Sequence, residues 1–208
     1  MKNVNSLLSS TFGATNTNIR NDYSGQFLIG RDFKGKDLTG AIFTNADLTD
    51  ALFTNANLTR ADFTGARLYS ADFTGANLRF ANFTNAILDS ADLTRANLTV
   101  AILTDAVLAR SDFTGAILRG AILTRAGLIS ANLTDAFFTT ANLTGAFLMD
   151  ANLTRAQFGA ANLTNANLYS ANLTNANFTV ANLTNARLID TNRTGAIFTG
   201  ANLTNVRW

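Results

Sequence analysis

Residues 141–185 read ANLTG AFLMD ANLTR AQFGA ANLTN ANLYS ANLTN ANFTV ANLTN, a run of five-residue units in a single register. Each unit opens on alanine and carries leucine or phenylalanine at its third position. The register extends in both directions, so that every fifth residue from Tyr23 to Trp208 is large and apolar, with Arg193 as the exception. A fixed period of this length indicates a repeat architecture.

A period of five residues fits neither a helix nor a simple strand. Residues five apart on an α-helix drift by about 140° per step, so they cannot share one face for long. A half-buried strand would need strict alternation. We therefore expect a turn in every unit, with the first and third side chains pointing inward and the other three outward. Thr-Gly, Thr-Asn and Thr-Asp close many units, and glycine or asparagine accepts a positive φ at low cost.

Units such as ADLTD, ANLTR, ADFTG and ANLTN resemble the pentapeptide-repeat family, whose units read alanine, aspartate or asparagine, leucine or phenylalanine, then two variable residues. The resemblance covers residues 21–208. It implies an all-β fold, a right-handed quadrilateral parallel β-helix with four pentapeptides per coil and here about nine coils. Family members are abundant in cyanobacteria, so we expect a cytoplasmic protein of a cyanobacterium.

The third-position residues agree with a coil of twenty residues. Sorting them by that period gives four faces, which begin at Tyr23, Leu28, Phe33 and Leu38. Phenylalanine then follows phenylalanine at twenty-residue intervals, on the first and third faces near the N-terminus and on the fourth face near the C-terminus. An interior of limited cross-section predicts such stacks, since each layer holds a limited side-chain volume.

The two ends of such a rod need caps. Residues 1–20 lie outside the repeat, and we expect them to form an N-terminal cap with a short helix over residues 5–12. Residues 21–208 form the β-helix, in which residues 191–208 are the terminal capping coil.

The interruption at Arg193 falls in this last coil. A side chain there can reach solvent past the open end, and Trp208 would cover part of that end. The end is therefore either a cap or the seam of a homodimer.

Composition argues against an enzyme. The chain has no Cys, His, Glu or Pro, so the usual nucleophiles, acid–base groups and metal ligands are nearly all missing, and we expect no cofactor and no metal. The net charge is +2 and the basic residues are scattered, which predicts no nucleic-acid partner. No apolar run approaches the roughly 20 residues of a membrane span, and the N-terminal residues lack the apolar core of a signal peptide.

One outward surface departs from the repeat. We call the second face the pentapeptides whose third residues run from Leu28 to Trp208. Its second and fourth positions carry aromatic, aliphatic and arginine side chains, types that are enriched in protein interfaces. We predict that this face binds an unidentified protein partner. The candidate residues are Arg67, Tyr69, Ile87, Val107, Ile129, Phe147, Met149, Tyr169, Arg187 and Ile189. The alternatives are that the N-terminal segment covers part of the face, or that it drifted without a function.

Three other functions stay open. Some members of the family mimic DNA and bind type II topoisomerases, and the third face carries an aspartate stripe at Asp32, Asp72, Asp92 and Asp112. The accompanying arginines weaken that reading, and aspartates of this kind can instead bond turn amides. The flat Asn-x-Thr array could order ice-like water, although asparagine ladders also join stacked coils. Finally, the protein could be a structural or designed scaffold, in which the regular rod has no binding function.

Overall fold

The computed structural model describes residues 21–208. The proposed N-terminal cap and its helix over residues 5–12 lie outside the described residues. From residue 21 onward there is no helix, and every pentapeptide has the same form, one bridging β residue followed by a two-residue turn. The β structure therefore consists of single bridging residues at every fifth position from Asp22 to Arg207.

The bridges define the register of the coil. Each joins residues twenty apart and is parallel, from Asp22 with Ile42 to Arg187 with Arg207. One coil thus takes twenty residues, or four pentapeptides, which confirms the period found by sorting the third positions. The right-handed sense and the total of about nine coils stay predictions.

The backbone hydrogen bonds of one unit show why five residues suffice. In the unit that opens at Ala151, the second residue donates its N–H to the preceding coil, and the third and fifth donate to the following coil. The first residue of the next unit closes the turn. The bonds are Asn152 N–H to Ala131 O (2.9 Å), Leu153 N–H to Asn172 O (2.7 Å), Arg155 N–H to Thr174 O (2.9 Å) and Ala156 N–H to Leu153 O (3.0 Å). Within such a unit the fourth residue is the one whose N–H has no backbone acceptor.

The fifth position carries the backbone strain of the turn. Every residue at this position from Gly25 to Asn205 has a positive φ, between 52° and 69°. A type II turn requires this at its third residue, so the predicted turn chemistry is confirmed. The position also holds Phe80, Val100 and Val180, for which a left-handed backbone is costly.

The interior is built from alanine, leucine and phenylalanine. On the first face Phe43, Phe63 and Phe83 stack with ring centroids 4.9 and 4.7 Å apart. They meet the third-face rings of Phe53 and Phe73 edge-on at 5.7 to 5.9 Å. The four phenylalanines of the fourth face stack at 4.7 to 5.1 Å. The predicted phenylalanine stacks are thereby confirmed.

The two residues that replace the inward alanine between Ala41 and Ala201 are both hydroxylated. The buried Ser111 hydroxyl donates to Leu108 O at 2.6 Å, and Thr191 donates to Leu188 O at 2.8 Å. Each hydroxyl is satisfied by the carbonyl three residues earlier, so it enters the interior without leaving an unpaired polar group.

Candidate functional site

The second position of the pentapeptide supplies the acceptor that the fourth position lacks. Asn152 Oδ1 accepts the N–H of Thr154 at 3.2 Å and its hydroxyl at 2.6 Å. Asn152 Nδ2 donates to Thr134 Oγ1 of the preceding coil at 2.9 Å. The asparagine therefore closes its own turn and also ties two coils together. These bonds explain the asparagine or aspartate at the second position without any bound ligand.

On the second face, most units lack the bond from the fourth-position N–H to the second-position side chain. Among its described residues, Asp47 and Asn167 are the ones whose side chains accept the fourth-position N–H of their own unit, from Thr49 and Tyr169. On the third face the same bond recurs in nearly every coil. Its acceptors there are Asp32, Asp72, Asp92, Asp112, Asn132, Asn152, Asn172 and Asn192. The side chains of the second face thus lack the structural explanation that applies elsewhere on the rod.

All ten predicted residues of the second face point away from the interior. The exposed members are Arg67, Val107, Ile129, Phe147, Tyr169 and Arg187. The half-buried members are Tyr69, Ile87, Met149 and Ile189. Continuous bridges join the second-position residues from Phe27 to Arg207, so the ten residues lie along one side of the rod.

Two arginine–tyrosine pairs lie toward opposite ends of these ten residues. The guanidinium carbon of Arg67 is 5.7 Å from the centre of the Tyr69 ring, and that of Arg187 is 5.4 Å from the Tyr169 ring. Arg67 also lies 3.8 Å from the carboxylate of Asp47. Between the pairs the face is mainly aliphatic and aromatic, with Phe147 43% exposed. The arrangement offers flat amphipathic groups for contact and no pair of groups suited to proton transfer.

The carboxylates of the rod are held by hydrogen bonds. The hydroxyl of Thr49 donates to Asp47 and lowers the pKa of that carboxyl below its usual value, against the opposing effect of burial. Burial raises the pKa of Asp72, but the hydrogen bonds from Thr54 and Thr74 together lower it by more, so the net shift of the pKa is downward. The four members of the predicted aspartate stripe each accept the N–H of the residue two positions later. The stripe is bonded to turn amides, as the structural alternative expected.

The C-terminal end brings its two predicted residues together. Arg193 is exposed, and its guanidinium carbon lies 4.8 Å from the centre of the Trp208 ring. The indole is half exposed and meets the edge of Phe198 at 5.9 Å. Arg193 thus extends past the last complete layer, with Trp208 beside it over the end of the aromatic stack.

Sequence reasoning missed a second set of outward apolar residues, at the corner where the fourth face meets the first. Its exposed members are Phe80, Val100, Ile122 and Phe137, and its half-buried members are Ile102 and Ile117. The signal was present in the sequence, because four of the six replace the asparagine or aspartate of the second position. It was overlooked because the corner was judged by its fourth-position threonines alone.

Residues 21–208 contain neither a metal-binding cluster nor a membrane-spanning helix. Over residues 21–208 there is no cluster of three or more acidic, histidine or cysteine side chains that could hold a metal ion. The same stretch contains no helix with the length and apolarity needed to cross a membrane.

Comparisons with known proteins agree with this geometry. The family model for pentapeptide repeats matches in eight copies, over residues 32–69, 61–99, 101–139, 121–156, 131–168 and 166–205. Among solved structures, the chain is similar to HetL, a pentapeptide repeat protein involved in heterocyst differentiation regulation from the cyanobacterium Nostoc sp. strain PCC 7120. The identity is 31% and the TM-score 0.71, over 90% of this chain and 89% of HetL.

A more distant likeness shows the fold alone. Full-length QnrB1, a plasmid-mediated fluoroquinolone resistance protein, is 19% identical with a TM-score of 0.52, over 89% of this chain and 85% of QnrB1. A search of curated proteins gave no match. The family match, the twenty-residue register and the similarity to HetL lead to one conclusion, that the chain belongs to the pentapeptide-repeat family.

Proposed function

We propose that the protein is a non-catalytic scaffold for protein–protein interaction and that its second face is the binding surface. One observation carries the proposal. On this face the repeat exchanges asparagine and threonine, which bond each other elsewhere, for aromatic, aliphatic and arginine side chains that lack those bonds and stay partly exposed. In this proposal a right-handed rod of about nine coils displays the face along its length.

The exchange has an energetic cost within the free protein. A hydrogen bond of this kind contributes about 0.5–1.5 kcal/mol, and the low end applies at a half-exposed position. The apolar side chains that replace it recover little, since they remain in water. A partner that covers the face would return that free energy on binding. Tyrosine and arginine are also the residue types that dominate interface energetics.

The similarity to HetL supports a regulatory role. HetL is involved in the regulation of heterocyst differentiation in a cyanobacterium, and it is similar to this chain over most of both lengths. We propose by analogy that this protein acts in regulation through contact with another protein, in the cytoplasm of a bacterium.

The competing functions receive less support. A DNA mimic needs a free acidic stripe, whereas the third-face aspartates accept turn N–H groups and the net charge is +2. An ice-binding array needs free hydroxyl groups, whereas a hydroxyl such as that of Thr154 donates to its own asparagine and accepts from the next coil. Both surfaces use their polar groups to hold coils together.

The test is affinity capture from a cyanobacterial lysate with three forms of the full chain. One is the wild type. The second carries serine at three second-face positions, Tyr69, Met149 and Tyr169. The third is a matched control with serine at three third-face positions, Thr74, Thr154 and Thr174. We expect a partner held by the wild type and the control but lost from the second-face variant, while circular dichroism shows the same fold in all three. Equal capture by all three would refute the proposed surface.

A homodimer through the C-terminal end is a separate proposal. The half-exposed Trp208, with Arg193 beside it, leaves an apolar surface that a second copy could cover. Light scattering at high concentration should give twice the monomer mass, and Trp208→Ala should return the protein to a monomer. A wild-type monomer at high concentration would contradict this proposal without affecting the second face.

A further inference from the structure

A second surface lies at the corner between the fourth and first faces, in the middle of the rod. We call it the corner patch, and its apolar members are Phe80, Val100, Ile102, Ile117, Ile122 and Phe137. Backbone bonds stack the corner turns directly on one another, from Phe80 N–H to Thr99 O (3.1 Å) and from Val100 N–H to Arg119 O (3.0 Å). The patch therefore spans four neighbouring coils, about 14 Å along the rod at the usual spacing of parallel strands.

The patch concentrates missing turn acceptors. The second positions at Ile102, Ile117, Ile122 and Phe137 all lack the asparagine or aspartate that would accept the fourth-position N–H. The N–H groups left without that acceptor belong to Thr104, Arg119, Thr124 and Thr139. Four such losses in two consecutive coils and on two adjoining faces leave backbone donors beside exposed apolar side chains.

Three arginines frame the patch. The guanidinium carbons of Arg60 and Arg79 lie 5.8 and 5.5 Å from the centre of the Phe80 ring, and that of Arg119 lies 5.8 Å from Phe137. Among residues 21–208 none of the three forms a salt bridge, whereas Arg67, Arg110, Arg125 and Arg155 do. The patch thus presents cations held against aromatic rings, with no carboxylate of the described chain neutralising them.

We propose that the corner patch binds an acidic segment of a partner protein that also carries apolar side chains. The segment's carboxylates would pair with Arg60, Arg79 and Arg119 and accept the unused turn N–H groups, while its apolar side chains cover the isoleucines. Charge complementarity selects this partner over a basic one. A nucleic acid fits less well, because three cations are few and the centre of the patch is aliphatic. This site is independent of the second face.

Two fluorescent peptides of equal length test the proposal against the full chain by anisotropy. One alternates aspartate with leucine, and the other alternates lysine with leucine. We expect the acidic peptide to bind and the basic one not to, with an affinity that falls as salt rises. A single-stranded oligonucleotide of matched charge is the third probe.

The variants restore residues that the repeat itself uses, so they preserve the fold. Phe137→Asn supplies the missing acceptor, and the pair Arg79→Thr and Arg119→Thr restores the common fourth-position residue. Each variant should lower the affinity for the acidic peptide by about tenfold or more, because central aromatic residues and paired arginines contribute most to binding at interfaces. The matched control is Leu52→Asn, the same kind of exchange on the third face and outside both proposed surfaces, which should leave the affinity unchanged.

Several outcomes would overturn the proposal. They are equal binding of the two peptides, tighter binding of the oligonucleotide, no binding of the acidic peptide at millimolar concentration, or an affinity that the corner variants do not change. Self-association of the wild type that Phe137→Asn abolishes would assign the patch to a second copy of this chain instead. None of these results bears on capture through the second face.

Discussion

The ladder of asparagine and threonine predicts a definite cost for losing one asparagine. In Asn152→Ala three short bonds disappear, the two that the amide oxygen accepts from Thr154 at 3.2 and 2.6 Å and the one that the amide nitrogen donates to Thr134 at 2.9 Å. The contacts at 3.4 Å to the neighbouring asparagines Asn132 and Asn172 add little. Each short bond contributes about 0.5–1 kcal/mol at a half-buried site, so the free energy of unfolding should fall by about 2 kcal/mol.

Asn152→Asp is the matched comparison. The carboxylate still accepts both bonds from Thr154 and loses the donation to Thr134, so the expected loss is about 1 kcal/mol. Aspartate is already accommodated in the same row at Asp92 and Asp112. Guanidinium denaturation followed by circular dichroism measures both variants. A loss below about 0.5 kcal/mol for Asn152→Ala would refute the claim that the ladder contributes to holding coils together.

Three further predictions concern the interior, the turns and acid. Phe158→Ala should lower the free energy of unfolding by about 3–5 kcal/mol, because it opens a cavity in the fourth-face stack. Phe158→Leu should lower it by only about 1–1.5 kcal/mol, because leucine already occupies the same row nearer the N-terminus. Val180→Gly should raise the thermal midpoint and stabilise by about 1 kcal/mol, because valine there holds φ at 59°, and an unchanged or lower midpoint would contradict the strain argument. The pKa of Asp72 is lowered in the folded state, so its contribution to stability is present above its unfolded pKa and is lost as pH falls through the folded value. The free energy of unfolding should therefore be level from about pH 7 to 5 and fall below about pH 4. Asp72→Asn should make that fall shallower in denaturation curves taken across pH.

The sequence predicted the repeat, the coil of twenty residues and the aromatic stacks, because the period is strict and each layer must fill a fixed volume. It also singled out the second face as a departure from the repeat, since Tyr69, Met149 and Tyr169 stand where the other faces mostly carry threonine, and binding through that face stays a prediction. The role of asparagine at the second position was less accessible. It depends on which backbone N–H lacks an acceptor, and that follows only from the three-dimensional bonding of neighbouring coils.

The corner patch was missed for the same reason. An isoleucine at residue 117 or 122 reads as ordinary variation until its partner N–H is known to be left open. The patch also joins residues from two faces, and neither face departs from the repeat strongly enough to be noticed alone. Val100 and Ile122 lie in different rows, and only the stacking of the coils places both at one corner.

The most direct test of the account is to repair the second face with the repeat's own residue. Ile87→Asn and Phe147→Asn together restore two turn acceptors on that face, for the N–H groups of Asp89 and Met149. If apolar side chains there were retained for binding at the expense of stability, the double variant should unfold at a higher denaturant concentration than the wild type and should no longer capture the partner. A variant that gains stability and captures the partner as well as the wild type would contradict the central claim.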